Sequence, residues 1–274
     1  GLNNLQEVVR FLNGTQSFTP VYVDTQAEFH NHAFASDLDF SDVRGQENVR
    51  RAMEVAAAGG HNMLMVGPPG AGKSMMAKRL PSILPPLTLD EALETTKIYS
   101  VAGMMTNRKE RNGNASALIV QRPFRSPHHT VTDVALVGGG NTPNPGEISL
   151  AHNGVLFLDE LPEYKRSALE VMRQPLEDRH ICITRAKMRV DYPASFMLIA
   201  AMNPCPCGHY GENNPAHPCT CTPAQIHRYM SRISGPLLDR IDIQCDIQPV
   251  PYDLLKDNVP TENSATMRAR VIQA

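Results

Sequence analysis

The segment from Gly67 to Ser74 constrains the fold of this chain more than any other stretch. It matches the pattern G-x-x-x-x-G-K-[ST] of a phosphate-binding loop. Backbone N–H groups in such a glycine-rich turn form a nest for an anion, and the following helix adds its positive N-terminal end. We expect Lys73 to reach the β- and γ-phosphates of ATP and the Ser74 hydroxyl to bind Mg²⁺. The predicted contacts of the nucleotide in and beside this loop are Gly67, Pro68, Pro69, Gly70, Ala71, Gly72, Lys73, Ser74 and Met75.

The flanking sequence favours this interpretation over a purely structural glycine-rich turn. Residues 62–66 are predicted to form a short buried strand and residues 74–80 the start of a helix, which is the setting that the motif requires. Val43 and Gly45 lie upstream of that strand. They are expected to lie against the adenine, and the alternative for them is an ordinary loop and helix cap.

The bulk properties exclude several classes of protein. Among the 274 residues, 42% are apolar and 20% are charged, which is ordinary globular composition. The net charge of −2 gives no global basic field for nucleic acid, but a local basic surface remains compatible with it. No run of eighteen apolar residues and no signal peptide is present, so we expect a cytoplasmic protein without a membrane partner. The first residue is not Met and the last residues form a helix-like run, so we expect a piece of a longer protein.

Local patterns predict three further elements. Leu5, Val8, Val9 and Leu12 have helical spacing and predict a short helix that ends at Gly14. Thr88 followed by Glu91 is a capping box and predicts the start of a second helix. Residues 131–137 are predicted to form a strand.

Two carboxylates follow a second buried strand. Residues 155–158 are four consecutive apolar residues, typical of a strand covered on both faces of a parallel sheet, and Asp159 and Glu160 come directly after them. Open α/β sheets bind their ligands at this end of the strands. We expect Asp159 to hold Mg²⁺ and Glu160 to polarise the attacking water. The alternative is a strand end with two solvated acids.

Two further residues complete the predicted hydrolytic site. Asn203 follows another apolar strand and is expected to orient the attacking water or to bond the γ-phosphate; a turn-forming Asn before Pro204 is the alternative. Arg240 would stabilise transition-state charge on the γ-phosphate. From spacing alone, an ion pair with Asp239 or Asp242 is equally compatible with its position.

Taken together, these motifs resemble those of AAA+ ATPases, and more narrowly the magnesium-chelatase-related ComM/YifB family. The resemblance covers about residues 37–252. It implies an α/β P-loop core, with a parallel sheet flanked by helices, a hairpin before the Asn203 strand and a helix-2-type insertion. It also implies a homo-hexamer whose active sites lie at subunit interfaces, so that Arg240 completes the neighbour's site. Residues 1–36 would then be a linker and the remnant of a preceding domain, 37–250 the core, and 251–274 the start of a helical lid. Arg268 and Arg270 lie too early in that lid to be assigned as its nucleotide-sensing arginine.

The resemblance also gives a role to the basic segment 177–190. It corresponds to a hairpin that points into the pore of the ring. Arg185, Lys187 and Arg189 alternate, so they are expected to share one face of an extended strand and to contact DNA phosphates. A solvated polar face is the alternative. The segment around Arg122 and His129 is a weaker candidate for the same pore or for a subunit junction.

Six cysteines are present, and four of them form two close pairs. Cys205, Cys207, Cys219 and Cys221 suit a structural tetrahedral Zn²⁺, although C-x-C is tighter than the usual spacing. His209 or His217 could replace one thiolate, and unliganded thiols or a disulfide are the alternatives. Cys182 and Cys245 are expected in the core.

Three classes of function are compatible with these patterns. The first is an ATP-driven ring motor acting on DNA as a helicase or branch-migration factor in transformation and recombination. The second is a magnesium-chelatase-type ATPase subunit that remodels a metal-insertion partner. The third is a nucleotide-dependent switch, which the pair Asp159–Glu160 disfavours.

Overall fold

The computed structural model describes residues 4–15, 17, 38–105, 118–140, 143–185, 188–211, 218–250 and 261–274. Most of the predicted N-terminal linker and residues 251–260 of the predicted lid therefore lie outside the described residues. The helices are α1 (Leu5–Leu12), α2 (Glu47–Gly59), α3 (Lys73–Arg79), α4 (Leu89–Val101), α5 (Asp133–Val137), α6 (Glu147–Leu150), α7 (Arg166–Val171), α8 (Arg173–Asp178), α9 (Pro223–Met230), α10 (Gly235–Leu238) and α11 (Ser264–Gln273). The strands are β1 (Met63–Val66), β2 (Phe124–Arg125), β3 (Gly138–Gly139), β4 (Asn144–Pro145), β5 (Val155–Leu158), β6 (His180–Arg185), β7 (Met188–Pro193), β8 (Met197–Met202) and β9 (Ile243–Asp246).

Five of these strands form one parallel sheet in the order β2–β5–β8–β1–β9. Neighbouring strands in this sheet run parallel, so the chain must cross over from the end of one strand to the start of the next. The carboxyl ends of β1, β5 and β8 therefore meet at one edge of the sheet. This confirms the predicted α/β P-loop core.

Both faces of the sheet are covered, which explains the continuous apolar run of β5. Leu156 and Leu158 belong to a core on one face that includes residues of α7 and α8. Val155 and Phe157 belong to a second core on the other face, with residues of α2, α3 and α11. All four side chains are at most 1% exposed. Alternate residues of one strand thus supply two cores, so no position of the strand can be polar without a partner.

The helix α11 packs on the second of these cores through Met267 and Val271. Its first residue, Ser264, accepts from the backbone N–H of Phe40 at 2.8 Å, and Ser82 Oγ donates to its hydroxyl at 2.7 Å. Arg268 Nη1 donates to the carbonyl of Ser82 at 3.0 Å, and Arg270 Nε lies 2.5 Å from Glu54 Oε1. Both arginines therefore have partners within the core.

Local predictions were right at two of the three positions. The helix α1 follows the Leu5–Leu12 spacing, and Thr88 and Glu91 form the reciprocal capping box of α4. The predicted strand at residues 131–137 was wrong, because the segment forms α5. Thr132 accepts from the backbone N–H of Ala135 at 3.2 Å and caps the helix, which outweighs the strand propensity of the valines.

The basic segment forms an antiparallel hairpin, β6–β7, directly before β8. Its strands pair from His180–Pro193 to Arg185–Met188, while Glu177 and Asp178 still belong to α8. The expectation that the three cations share one strand was wrong. Arg185 is the last residue of β6. Arg189 belongs to β7 and pairs with Thr184 of β6, and Lys187 lies outside the described residues. The chain reverses between them.

Candidate functional site

The phosphate loop connects β1 to α3 at the edge where the parallel strands end. Gly70 and Gly72 have φ of +77° and +88°, a region that favours glycine. Gly67 is required for another reason, because a Cβ there would lie 2.5 Å from the carbonyl oxygen of Ile247. Pro69 contacts Gly208, Ala71 is buried, and Met75 is half exposed in the first turn of α3. The sequence of the loop is thus matched to a tight path between two strand ends.

Lys73 is buried at the centre of this loop. Its Nζ donates to the carbonyls of Gly67 and Pro68 at 2.6 and 2.8 Å, and to Asn203 Oδ1 at 3.1 Å. Burial lowers the pKa of Lys73, and the negative charge of Asp159 opposes that shift. The loop therefore holds a cation in a largely dry position, where it interacts strongly with an anion.

Ser74 and Asp159 bring two oxygen groups together beside Lys73. The Ser74 hydroxyl donates to Asp159 Oδ2 at 2.5 Å. Mg²⁺ prefers such hard oxygen ligands and keeps several waters, so it needs only a few from the protein. The donor set of these two residues fits Mg²⁺.

Glu160 follows Asp159 in the left-handed region, at φ 54°. Its backbone N–H donates to Asp159 Oδ1 at 3.0 Å, and its carboxylate lies 3.0 Å from Nδ1 of His129. The hydroxyl of Tyr164 donates to the carbonyl of Pro127 at 2.6 Å, two residues before His129. Burial raises the pKa of Tyr164, and the charges of Asp159 and Glu160 raise it further. The segment 127–129 is thus attached to the carboxylate pair.

Asn203 directly follows β8. The strands β6 and β7 separate it from Asp159 in sequence, but its side chain accepts a hydrogen bond from Lys73. Tyr229 of α9 is buried near Asn203. Burial raises the pKa of Tyr229 to about 12, with Glu163 adding to the rise, whereas a hydrogen bond with the backbone of Asn203 acts in the opposite direction. The structure therefore brings together the four predicted residues Lys73, Ser74, Asp159 and Asn203, with Glu160 adjacent.

Arg240 follows α10 and forms an ion pair with Glu177 of α8 in the same chain. The partner in this ion pair is therefore Glu177, and not Asp239 or Asp242, the two acids that the sequence suggested. Asp242 instead accepts from the backbone N–H of Asn62 at 3.1 Å. Asn62 also donates from Nδ2 to the carbonyl of Arg240 at 2.8 Å, which ties the Arg240 turn to the start of β1.

Val43 and Gly45 lie on the side of the site where β9 ends. Val43 is fully buried, and a Cβ at Gly45 (φ +62°) would lie 3.3 Å from Val250 Cγ1. Gln46 Nε2 donates to the carbonyl of Gln248 at 2.6 Å. A cleft of about 390 Å³ opens beside the phosphate loop, with Gly67, Pro68, Gly208, Tyr210, Ile247 and Gln248 in its lining.

The four paired cysteines converge, and we call them the thiol cluster: Cys205, Cys207, Cys219 and Cys221. Their sulfur atoms all lie within 4.8 Å of one another. Cys205 Sγ lies 3.3 Å from Cys207 Sγ and 3.8 Å from Cys219 Sγ, and Cys207 Sγ lies 3.6 Å from Cys219 Sγ. Zn–S bonds of about 2.3 Å in a tetrahedron give sulfur separations of about 3.8 Å. The arrangement thus has the dimensions of a four-thiolate site for one ion.

The thiols of the cluster also differ in acidity. The backbone N–H of His209 lowers the pKa of Cys207 to about 5. The backbone of Cys207 favours the thiolate of Cys221, but burial and the hydrogen bond with Cys207 Sγ outweigh it and raise the pKa of Cys221 to about 12. Four adjacent thiols therefore resist full deprotonation by themselves, and a bound cation reverses this.

The remaining predicted contacts are less closely connected to the site. Arg189 is exposed and lies 3.7 Å from Asp191 in an ion pair on β7. Arg122 and Arg125, in the segment considered for the pore, are held inside the chain. Arg122 donates to the carbonyls of Pro85 and Asn153, and Arg125 makes two 2.6 Å contacts with Glu147.

Sequence reasoning missed the role of His129 beside Glu160 and the tie made by Asn62. No local pattern indicates either one, because their partners lie 31 and more than a hundred positions away. A polar Asn directly before an apolar strand was the one available signal for Asn62.

Comparisons with known proteins agree with this geometry. The family model described as "Magnesium chelatase, subunit ChlI" matches residues 39–255. The protein YifB of Escherichia coli is 47% identical over 99% of this chain, and competence protein ComM of Haemophilus influenzae is 44% identical over 98% of it. A protein of Mycobacterium tuberculosis, Rv2897c, is 48% identical over 76% of the chain and 40% of its own length.

The chain spans about half the length of YifB and ComM, 51% of each. Among the described residues, no helix is long and apolar enough to cross a membrane. The matched region contains β1, β5 and β8 and all the residues that converge at their ends. The chain therefore belongs to the magnesium chelatase subunit ChlI family, as an AAA+ protein of the ComM/YifB type.

Proposed function

We propose that this chain is the ATPase core of a cytoplasmic ring motor that binds and hydrolyses MgATP and acts on branched DNA. The observation that carries the proposal is the convergence of two contacts, Lys73 with Asn203 and Ser74 with Asp159, at the carboxyl edge of the sheet. These contacts place a cation, a metal-binding oxygen pair and a polar amide around one point. Phosphoryl transfer to water needs this combination.

Each residue then has one task. The loop backbone from Gly67 to Gly72 cradles the phosphates, and Lys73 moves from its carbonyl partners to the β- and γ-phosphates. Ser74 and Asp159 would hold Mg²⁺, which when bound offsets negative charge on the phosphate oxygens. Glu160 accepts a proton from the attacking water, and Asn203 orients that water. Val43 and Gly45 border the adenine.

We propose a homo-hexamer in which Arg240 reaches the nucleotide of the neighbouring subunit. The family resemblance supports a ring. The ion pair with Glu177 fixes the Arg240 guanidinium on its own chain. The Arg240 carbonyl is bonded by Asn62, directly before β1. A cation supplied across the interface makes hydrolysis depend on assembly.

Branched DNA is the proposed substrate, as for a ComM-like branch-migration factor in transformation and recombination. Support comes from the relative named competence protein ComM and from the basic hairpin β6–β7 with Arg185, Lys187 and Arg189. Although Arg185 and Arg189 do not share one strand, Arg185 ends β6 and Arg189 is the second residue of β7. Cations clustered at a hairpin tip can contact a phosphate backbone without reading its sequence.

We further propose that the thiol cluster holds one structural Zn²⁺. The sulfur separations of 3.3–3.8 Å and the four-thiol donor set support it. The described residues contain no disulfide between these cysteines.

The decisive test compares ATP turnover of the complete protein with and without a four-way DNA junction. We expect turnover to rise about tenfold with DNA, and to rise less in Arg189→Ala, because each lost phosphate contact weakens binding and its salt dependence. Arg51→Ala is the matched control, since Arg51 is 70% and Arg189 68% exposed. Turnover that ignores DNA in all three proteins would refute the DNA substrate.

The family model favours one other function, an ATPase subunit that remodels a metal-insertion partner. This alternative predicts turnover that is indifferent to DNA and rises only with a porphyrin-metallating partner. The same assay with that partner in place of DNA separates the two functions.

A further inference from the structure

The thiol cluster lies directly behind the residue that faces Lys73. Cys205 follows Asn203 by two positions and is fully buried. The backbone N–H of Gly208 donates to the carbonyl of Cys205 at 3.0 Å, which closes residues 205–208 into a tight turn. Pro204 is the single residue between Cys205 and Asn203, so a displacement of the Cys205 backbone acts on Asn203 across one residue.

The same turn packs on the phosphate loop. Gly208 has φ +90°, and a Cβ there would lie 2.6 Å from Cδ and 2.8 Å from Cγ of Pro69. No side chain larger than hydrogen fits between the two segments. The turn that carries Cys205 and Cys207 and the loop that carries Lys73 are thus in direct contact.

The second pair of thiols returns to Asn203 by another route. Cys221 is followed by Thr222, which caps α9 through a reciprocal capping box with Gln225. That helix carries the buried Tyr229, which lies near enough to Asn203 for the Asn203 backbone to lower the pKa of its hydroxyl. One arm of the cluster thus reaches Asn203 along the chain, and the other reaches it through α9.

We infer that a metal ion in the thiol cluster fixes the position of Asn203 and thereby sets the rate of ATP turnover. The inference rests on the proposed ATPase function. The cluster joins two chain segments: 205–207, which begins two positions after Asn203, and 219–221, which directly precedes Thr222, the capping residue of α9. Among the described residues, the contacts that join these segments in the absence of an ion are weak hydrogen bonds made by thiols. A displacement of about 1 Å at a positioning group costs about a hundredfold in rate.

The effect is expected in turnover and not in nucleotide affinity. Lys73, the loop backbone and Ser74 bind the phosphates, and none of them belongs to the cluster. Asn203 acts on the attacking water, which matters in the transition state. Loss of the metal should therefore lower kcat about 10- to 100-fold and change the Kd of a fluorescent ADP by less than about threefold.

The test uses the complete protein and the double variant Cys219→Ser/Cys221→Ser, whose substitutions lie outside the Asn203 turn. Cys182→Ser, in the hairpin, is the matched control. Zinc per chain is measured by mass spectrometry, together with kcat and the Kd for ADP. We expect about one zinc in the wild type and the control, almost none in the double variant, and the stated fall in kcat only where zinc is lost.

A second measurement does not depend on how the variant folds. Zinc is removed from the wild type with a chelator and then restored, and kcat should fall and recover with the metal content. A wild type without metal, or a metal-free protein with unchanged kcat, overturns the inference and leaves the ATPase function intact. A zinc-loaded wild type that never hydrolyses ATP, with DNA or with a partner, overturns both.

Discussion

Nδ1 of His129 lies 3.0 Å from Oε2 of Glu160, so an imidazole holds the carboxylate proposed as the general base. The backbone of Glu160 is itself unusual, at φ 54°, and is kept there by its N–H bond to Asp159. A non-glycine residue in this region costs about 1 kcal/mol or more, and such residues are common at active sites. The Asp159 side chain therefore holds the backbone of Glu160, and His129 holds its carboxylate.

Replacing His129 should slow hydrolysis without weakening binding. In His129→Ala the carboxylate loses the group that orients it, and we expect kcat to fall about tenfold with an unchanged Kd for ADP. His128→Ala is the control, because His128 Nδ1 bonds Thr130 Oγ1 instead. Equal kcat values in the two variants would contradict the orienting role.

Glu160→Gln should separate binding from hydrolysis. The amide keeps the size of the side chain but cannot accept the proton of the attacking water, so kcat should fall by about 10²–10⁴. Binding of fluorescent ATP should be retained, because Lys73 and Ser74 are untouched. Unaltered turnover would exclude Glu160 as the base.

Two inactive variants should restore one another if the active site is shared. Lys73→Ala removes phosphate binding and Arg240→Ala removes the cation supplied to the neighbour. In an equal mixture, about a quarter of the interfaces join an intact loop to an intact arginine, so about a quarter of wild-type turnover should return. The assay mixes the complete variants before adding ATP.

Glu177→Gln is the control for this experiment, since it removes the partner of Arg240 and keeps the arginine. It should retain more turnover than Arg240→Ala when tested alone, because the guanidinium that acts on the neighbour is still present. Mixtures as inactive as their components would mean that Arg240 acts within its own subunit or has only a structural role.

How much of this site was readable from sequence depends on whether its signals are local. The phosphate loop and the run Val155–Leu158 could be predicted because each carries its own pattern: a glycine spacing in one case, two buried faces in the other. Asn203 could be placed because it ends a strand of the same kind. The convergence of these strand ends follows from parallel pairing alone.

Two features could not be predicted from the sequence: the long-range contacts of Asn62, and the position of a hairpin turn that lacks the usual turn residues. Asn62 accepts from the Leu198 N–H at 2.8 Å and donates to the Arg240 carbonyl, and the sequence separations are 136 and 178. β6 ends at Arg185 and β7 begins at Met188, and the sequence between them contains none of Gly, Asn, Asp or Pro. The hairpin itself is confirmed, but without a turn signal the alternation of the three cations wrongly suggests that they share one strand.

The anchor of α11 should depend on pH. Arg270 contacts Glu54, whose side chain is 8% exposed, and also Glu262. The hydrogen bond from Arg270 lowers the pKa of Glu54 despite its burial, and the hydrogen bond to Glu262 lowers the pKa of that carboxyl as well. Because both folded-state pKa values are depressed, the stabilisation is fully present above the unfolded pKa near ~4.3 and is lost as pH falls through the folded values.

Arg270→Met should therefore lower the free energy of unfolding by roughly 1–3 kcal/mol at pH 7, the range for hydrogen bonds to charged groups. The difference from wild type should shrink below about pH 4, where the wild-type carboxylates become protonated and the arginine loses its partners. Urea unfolding of the 274-residue chain at both pH values measures it. Arg228→Met, at an exposed position of α9, is the control and should change stability little at either pH. A cost for Arg270→Met that is the same at pH 7 and pH 3 would mean that the ion pairs with Glu54 and Glu262 do not anchor α11 to the core.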